Sequence, residues 1–93
     1  MRLKDEEIQV IKQAVQRLDP DAKIFLFGSR VDPNKKGGDI DILVLSRKLH
    51  EIDSLKILKT IFERMEEQKI DILIAPNAQD PFVKLALSQG VEL

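Results

Sequence analysis

Between positions 25 and 41 the chain reads Phe-Leu-Phe-Gly-Ser-Arg-Val-Asp-Pro-Asn-Lys-Lys-Gly-Gly-Asp-Ile-Asp, and no other segment constrains the fold as strongly. An apolar run ends in Gly28-Ser29-Arg30, a short polar loop follows, and two aspartates one residue apart head a second apolar run, Ile40–Leu45. This order predicts a strand, a turn and a second strand. Side chains alternate faces along a strand, so Asp39 and Asp41 project to one side and Ile40 and Ile42 to the other, with the aspartate α-carbons about 6.6 Å apart. Two carboxylates at that spacing can share a divalent ion, and magnesium is commonly held by one or two carboxylates together with substrate phosphates.

A third acid stands in the apolar run 69–75, Lys-Ile-Asp-Ile-Leu-Ile-Ala. Here Ile70, Ile72 and Ile74 share one face and Asp71 points the other way, beside Leu73 and Ala75. A helix of crossover length separates this run from Ile40–Leu45, which predicts two parallel strands. Paired strands lie about 4.8 Å apart, so a suitable register stands Asp71 beside Asp41. Three carboxylates then converge. Like charges about 4 Å apart repel by roughly 4 kcal/mol at an effective dielectric near 20, so such a cluster makes sense mainly with a cation in it. The competing arrangement leaves Asp39 in the Gly-Gly turn, with only Asp41 and Asp71 entering strands and one of them exposed at a sheet edge.

The Gly-Ser-Arg segment faces these acids as a phosphate seat. Gly28 lets backbone approach a ligand closely, and Ser29 offers a hydroxyl and an N–H to an anion. Arg30 carries forked donors suited to phosphate and equally able to pair with an aspartate. Alone, Gly-Ser after a strand marks a turn more often than a ligand site; the following acids give it weight.

Phe27-Gly28-Ser29, a nine-residue spacer, Asp39-Ile40-Asp41 and then Asp71 together resemble the minimal nucleotidyltransferases of the DNA polymerase beta superfamily. The similarity spans nearly the whole chain, and the Gly-Ser-Arg form looks like the stand-alone type often paired with a helical HEPN protein in toxin–antitoxin modules. One departure is Gly38, where many members carry serine; it removes a hydroxyl but no metal ligand. The resemblance implies a small α/β (α+β) domain with a mixed sheet of about three strands and about four helices. It implies that Asp39 and Asp41 bind Mg2+ and the triphosphate, and that Asp71 completes a two-metal site and helps activate an acceptor hydroxyl. Gly28, Ser29 and Arg30 would bind ATP or another nucleoside triphosphate, and attack on the α-phosphorus would expel pyrophosphate. Lys35 and Lys36 could reach phosphates, although lysines in polar turns are usually solvated.

At 93 residues a single domain, 1–93, is expected, with a modest core. Its 15 basic and 16 acidic residues are mixed along the chain, which leaves no electrostatic footprint for DNA. With no cysteine, no signal-like amino terminus and no apolar run long enough for a membrane helix, a soluble cytoplasmic protein is expected. His50 is the only histidine and lacks partners for a zinc site, so it reads as surface.

Ile8, Ile11, Val15 and Leu18 mark the apolar face of a first helix that opens on Asp5, Glu6 and Glu7 and stops at Asp19-Pro20. A second helix over 52–67 is expected to bury Leu55, Leu58, Ile61, Phe62 and Met65. Asp80 should cap a third, with Pro81 at its first position, ending near Gly90. The four phenylalanines, Phe25, Phe27, Phe62 and Phe82, all read as core.

A domain this small holds metals and phosphates but has no second lobe to position an acceptor. A HEPN-like helical partner is therefore expected as both complex partner and acceptor of AMP; homodimerisation could also complete a cleft. The chain contains no tyrosine, which excludes self-modification at that side chain. The alternative is a non-catalytic module that neutralises or scaffolds its partner by contact.

Overall fold

A computed structural model describes residues 3–31 and 39–93, with Ser29 and Arg30 described by their backbone alone. The segment holding Lys35, Lys36 and Gly38 lies outside the described residues. Helix α1 (Asp5–Gln16) leads into strand β1 (Lys23–Phe27), a 3-10 turn (Gly28–Val31) and strand β2 (Ile40–Leu45). Helix α2 (Asp53–Phe62), strand β3 (Ile70–Ala75), helix α3 (Pro81–Gln89) and strand β4 (Val91–Glu92) follow. The sheet order is β3-β2-β1-β4, with β2 and β3 parallel and β1 antiparallel to both β2 and β4. The described residues thus form a mixed sheet of four strands where about three were expected, and three α-helices plus the 3-10 turn where about four helices were expected.

Strand alternation divides the core in two. Ile24, Leu26, Ile40, Ile42, Val44 and Ile70 face α1 and α2, meeting Ile11, Val15, Ile57 and Ile61. Phe25, Phe27, Leu43, Leu73 and Ala75 face the other way and meet Val83 and Ala86 of α3. The first face is thickly covered and the second is covered by one nine-residue helix.

Helix α1 starts where the Lys4 N–H donates to Glu7 Oε1 at 3.0 Å, and its acids Asp5, Glu6 and Glu7 sit at the positive end of the helix dipole. The Asp19 carboxylate that follows is buried. It accepts from Ser46 Oγ at 2.5 Å and from the Asp21 N–H at 3.0 Å, which ties the end of α1 to the end of β2. The Ser46 hydrogen bond, with help from Asp21 N–H and Lys48, holds this carboxyl below its usual range against the opposing effect of burial.

Helix α2 is shorter than the span 52–67 and is turned differently. It ends at Phe62, and Met65 leaves the helix yet still packs against the core, so the remaining residues reach back to the head of β3. Leu55, expected inside, is 68% exposed, while Ile57 is fully buried. Positions 55 and 57 lie on nearly opposite sides of a helix at 3.6 residues per turn, so a stripe centred on Ile57 and Ile61 excludes Leu55.

Asp80 caps α3 as expected, accepting the Phe82 N–H at 2.8 Å with Pro81 in the first turn. The chain then turns onto β1 at Gly90, where a β-carbon would stand 2.7 Å from the Ala86 carbonyl and 3.0 Å from that of Leu26. That close approach lets Val91–Glu92 pair with β1 and Leu93 donate to the Ile24 carbonyl at 2.9 Å.

Candidate functional site

The site forms where the heads of β2 and β3 lie side by side. The parallel register pairs Ile40 with Ile70 and Asp41 with Asp71, and the Ile40 N–H donates to the Lys69 carbonyl at 3.1 Å. Isoleucines fill the α1/α2 side at both strand heads, so both aspartates must occupy the opposite face. On the other flank Phe27 is the cross-strand partner of Asp41, which brings the start of the Gly28–Val31 turn over the Asp41 carboxylate.

Gly28 is required by that closeness. Its φ of +77° lies in the left-handed region, and a β-carbon there would come within 2.3 Å of Asp41 Oδ2 and 3.2 Å of its Cγ. The glycine therefore makes room for the carboxylate. The side chains of Ser29 and Arg30, expected beside it, lie outside the described residues.

Of the three expected acids, the structure brings two together. Asp41 is half-buried and within hydrogen-bonding reach of Asp71. Asp71 is exposed because β3 is an edge strand, so it does have a solvated setting that its apolar neighbours concealed. Asp39 precedes β2, and its Oδ2 stands 3.4 Å from Lys69 Nζ. Among the described residues no three acidic or histidine side chains form a ready metal-holding group. The full convergence of three carboxylates is thus replaced by an Asp41–Asp71 pair and an Asp39–Lys69 ion pair. Sequence reasoning gave Lys69 no role, since nothing in a single lysine beside a strand announces its cross-strand partner.

Charge makes the pair expensive. Burial first, then the negative charges of Asp71 and Asp39, pushes the Asp41 carboxyl above its usual range; Lys69 offsets part of this, and a hydrogen bond to Asp71 adds to it. Carboxylate oxygens are the hard donors that magnesium takes, and the Asp41–Asp71 pair could supply two of them, while Asp39 is engaged by Lys69. A separate cleft of about 600 Å³ opens at the other end of the sheet, among Lys23, Ser46, Arg47 and Asn77, and touches none of these residues.

A small mixed sheet with acids on adjacent strand heads and a glycine turn above them has the architecture of a polymerase-beta-like nucleotidyltransferase. Residues 8–89 match the family described as "Nucleotidyltransferase domain", and the chain belongs to that family. It is also 32% identical over 73 residues to the probable protein adenylyltransferase MntA of Haemophilus influenzae. That match covers 76% of this chain and 64% of the relative, so the chain spans less than two thirds of the relative's length.

Two outcomes follow from this geometry. Gly28→Ala should cost about 1–2 kcal/mol in chemical denaturation, the price of a left-handed non-glycine residue, because the added methyl also forces the Asp41 carboxylate aside. A stability equal to wild type would mean that the turn relaxes freely. Asp41 also sets a pH dependence in metal-free protein. The fold holds its proton more tightly than the unfolded chain, whose aspartates titrate near about 3.9, so stability falls as pH rises from there through the elevated folded value. Asp41→Asn should therefore melt higher than wild type at neutral pH in chelator, with the gap closing as the pH drops to about 4. A gap that stays constant across the series would contradict the charge argument.

Proposed function

We propose that this chain is a magnesium-dependent nucleotidyltransferase that moves AMP from ATP to a hydroxyl of a helical, HEPN-like partner protein, acting as the cytoplasmic antitoxin of a two-component module. The observation that carries this reading is the Asp41–Asp71 pair on adjacent strand heads beneath the Gly28 turn. The relative's description as a probable protein adenylyltransferase supports a protein acceptor. Asp39, Asp41 and Asp71 would hold the magnesium ion, which when bound would supply positive charge for the phosphates and for the ionised acceptor oxygen.

The chain's own residues divide the work. The Gly28 backbone, with Ser29 and Arg30, holds the outer phosphates. Asp39 and Asp41, being anionic like the phosphates, would act on the nucleotide by holding that magnesium. Asp71, on the exposed edge, is open to an incoming acceptor and takes the hydroxyl proton. The acceptor oxygen then bonds to the α-phosphorus, the bond to the β-phosphate bridge breaks, and pyrophosphate leaves.

Lys69 tunes this site. Its ammonium, itself exposed, competes for the Asp39 carboxylate. Lys69→Met should tighten magnesium binding by roughly two- to fivefold in calorimetry, the factor that an exposed ion pair of about 0.5–1 kcal/mol sets. Lys23→Met, the same charge change at the far end of β1, should leave it unaltered. Equal or weaker binding in Lys69→Met would remove this role.

One observation favours a second reading, a module that acts on its partner by contact alone: the three aspartates do not meet in one group among the described residues. Intact-mass spectrometry separates the two. The protein encoded beside this one, incubated with the chain, magnesium and ATP, should gain one or more AMP units and gain none with Asp41→Asn. Tight binding without added mass, under any nucleoside triphosphate, would establish the contact-only module.

A further inference from the structure

The sheet face that carries the acids is only partly covered, and what remains open is apolar. Along β3, Leu73 and Ala75 lie on the same side as Asp71, with the Leu73 α-carbon about 6.6 Å further on. Between this strand and the start of α3 runs a groove of about 450 Å³, lined by Leu73, Ala75, Phe82 and Val83, with Asn77 and Asp80 supplying polar atoms. Phe82 was expected in the core but is 55% exposed. Its ring rests against Phe27, with centroids 6.1 Å apart and planes at 82°. Phe27 in turn precedes Gly28 and is the cross-strand partner of Asp41. The Phe82 backbone is pinned as well, since its N–H donates to Asp80 Oδ1 at 2.8 Å.

We infer that this groove receives the nucleoside, base and sugar together, of the triphosphate whose phosphates meet Asp41 and Asp71, and that Phe82 is its stacking face. The inference rests on the nucleotidyltransferase reading above and adds where the rest of the substrate goes. Three observations support it. The groove starts at Leu73, two residues along β3 from Asp71 and on the same sheet face, so the order from carboxylates to apolar wall follows a nucleotide's from phosphate to base. Its volume falls within the roughly 300–1,000 Å³ usual for small-molecule sites, which are mainly apolar with a few placed polar groups. An aromatic ring held edge-on by a second ring, on a capped helix start, offers a flat face at little entropic cost.

The test compares ATP with inorganic tripolyphosphate, each with magnesium, by calorimetry on wild type, Phe82→Ala and Phe82→Leu. ATP should bind wild type more tightly than tripolyphosphate does. Phe82→Ala should weaken ATP by roughly tenfold, as loss of one base-stacking ring does, and leave tripolyphosphate unchanged. Phe82→Leu keeps an apolar contact with Phe27 and should fall between; it carries the test if the alanine variant melts early. Unchanged ATP affinity in a folded variant, or equal affinity of wild type for the two ligands, would overturn the inference and leave the shelf as a protein-facing surface. Weakening of both ligands together would also overturn it, by showing that Phe82 acts through the acids. Binding of neither ligand to wild type would remove the nucleotide reading, and the groove's occupant with it.

Discussion

The hydrogen bond from the Ile40 N–H to the Lys69 carbonyl, 3.1 Å long, begins the parallel ladder of β2 and β3, and the placement of the acids follows from that ladder. A slip of one residue would send Asp71 into the α1/α2 core and Ile70 and Ile72 out to solvent. The register is held because both strands present isoleucines to that core: Ile40 and Ile42 are completely buried, and Ile70 nearly so. Each such side chain contributes about 1.5–3 kcal/mol through burial. Together they outweigh the roughly 4 kcal/mol by which two carboxylates about 4 Å apart repel at an effective dielectric near 20. The hydrophobic face thus holds the charged face in an arrangement that carboxylates alone would avoid.

That imbalance explains the neighbouring details. Asp39 lies against Lys69, Asp41 holds its proton above the usual range, and Asp71 sits at an edge where water can reach it. The Lys69 ion pair and the solvated edge relieve part of the repulsion while the charges remain, and the raised Asp41 carboxyl relieves it by disfavouring its own ionised form. A domain selected for stability alone would place an apolar residue at one of these positions. Retaining all three acids is a departure from local consistency of the kind expected at functional sites.

The strand containing Asp71, the parallel crossover and the Asp80 cap were legible in the sequence because each is a local pattern: alternation, a helix-length gap, and a capping residue before proline. The neighbouring Asp41 and Asp71 were legible only as an option, since the register depends on which isoleucines the core accepts. Other features were hidden for the same reason, that they depend on tertiary neighbours. Leu55 and Ile57 are both apolar, and only the packing of α2 on the sheet selects Ile57. The position of β3 at the sheet edge, which exposes Asp71, is set when β1 takes the other side of β2. The Lys69–Asp39 pair follows from the strand register and has no signature of its own.

Phe27 shows how closely the two faces of this small sheet divide stability from chemistry. Its flanking position Leu26 is fully buried toward α1 and α2, while Phe27 itself faces α3, stands opposite Asp41 and supports the ring of Phe82. The next residue, Gly28, turns the chain over the Asp41 carboxylate. Three consecutive positions therefore anchor the core, brace an aromatic shelf and clear space for an acid. Adding a second helix over the α3 side would bury more apolar surface, but it would also cover Asp71 and the groove beside it. The thin cover on that face is thus the condition under which the acids stay reachable, and the thick isoleucine-rich layer opposite makes that exposure compatible with a folded domain of this size.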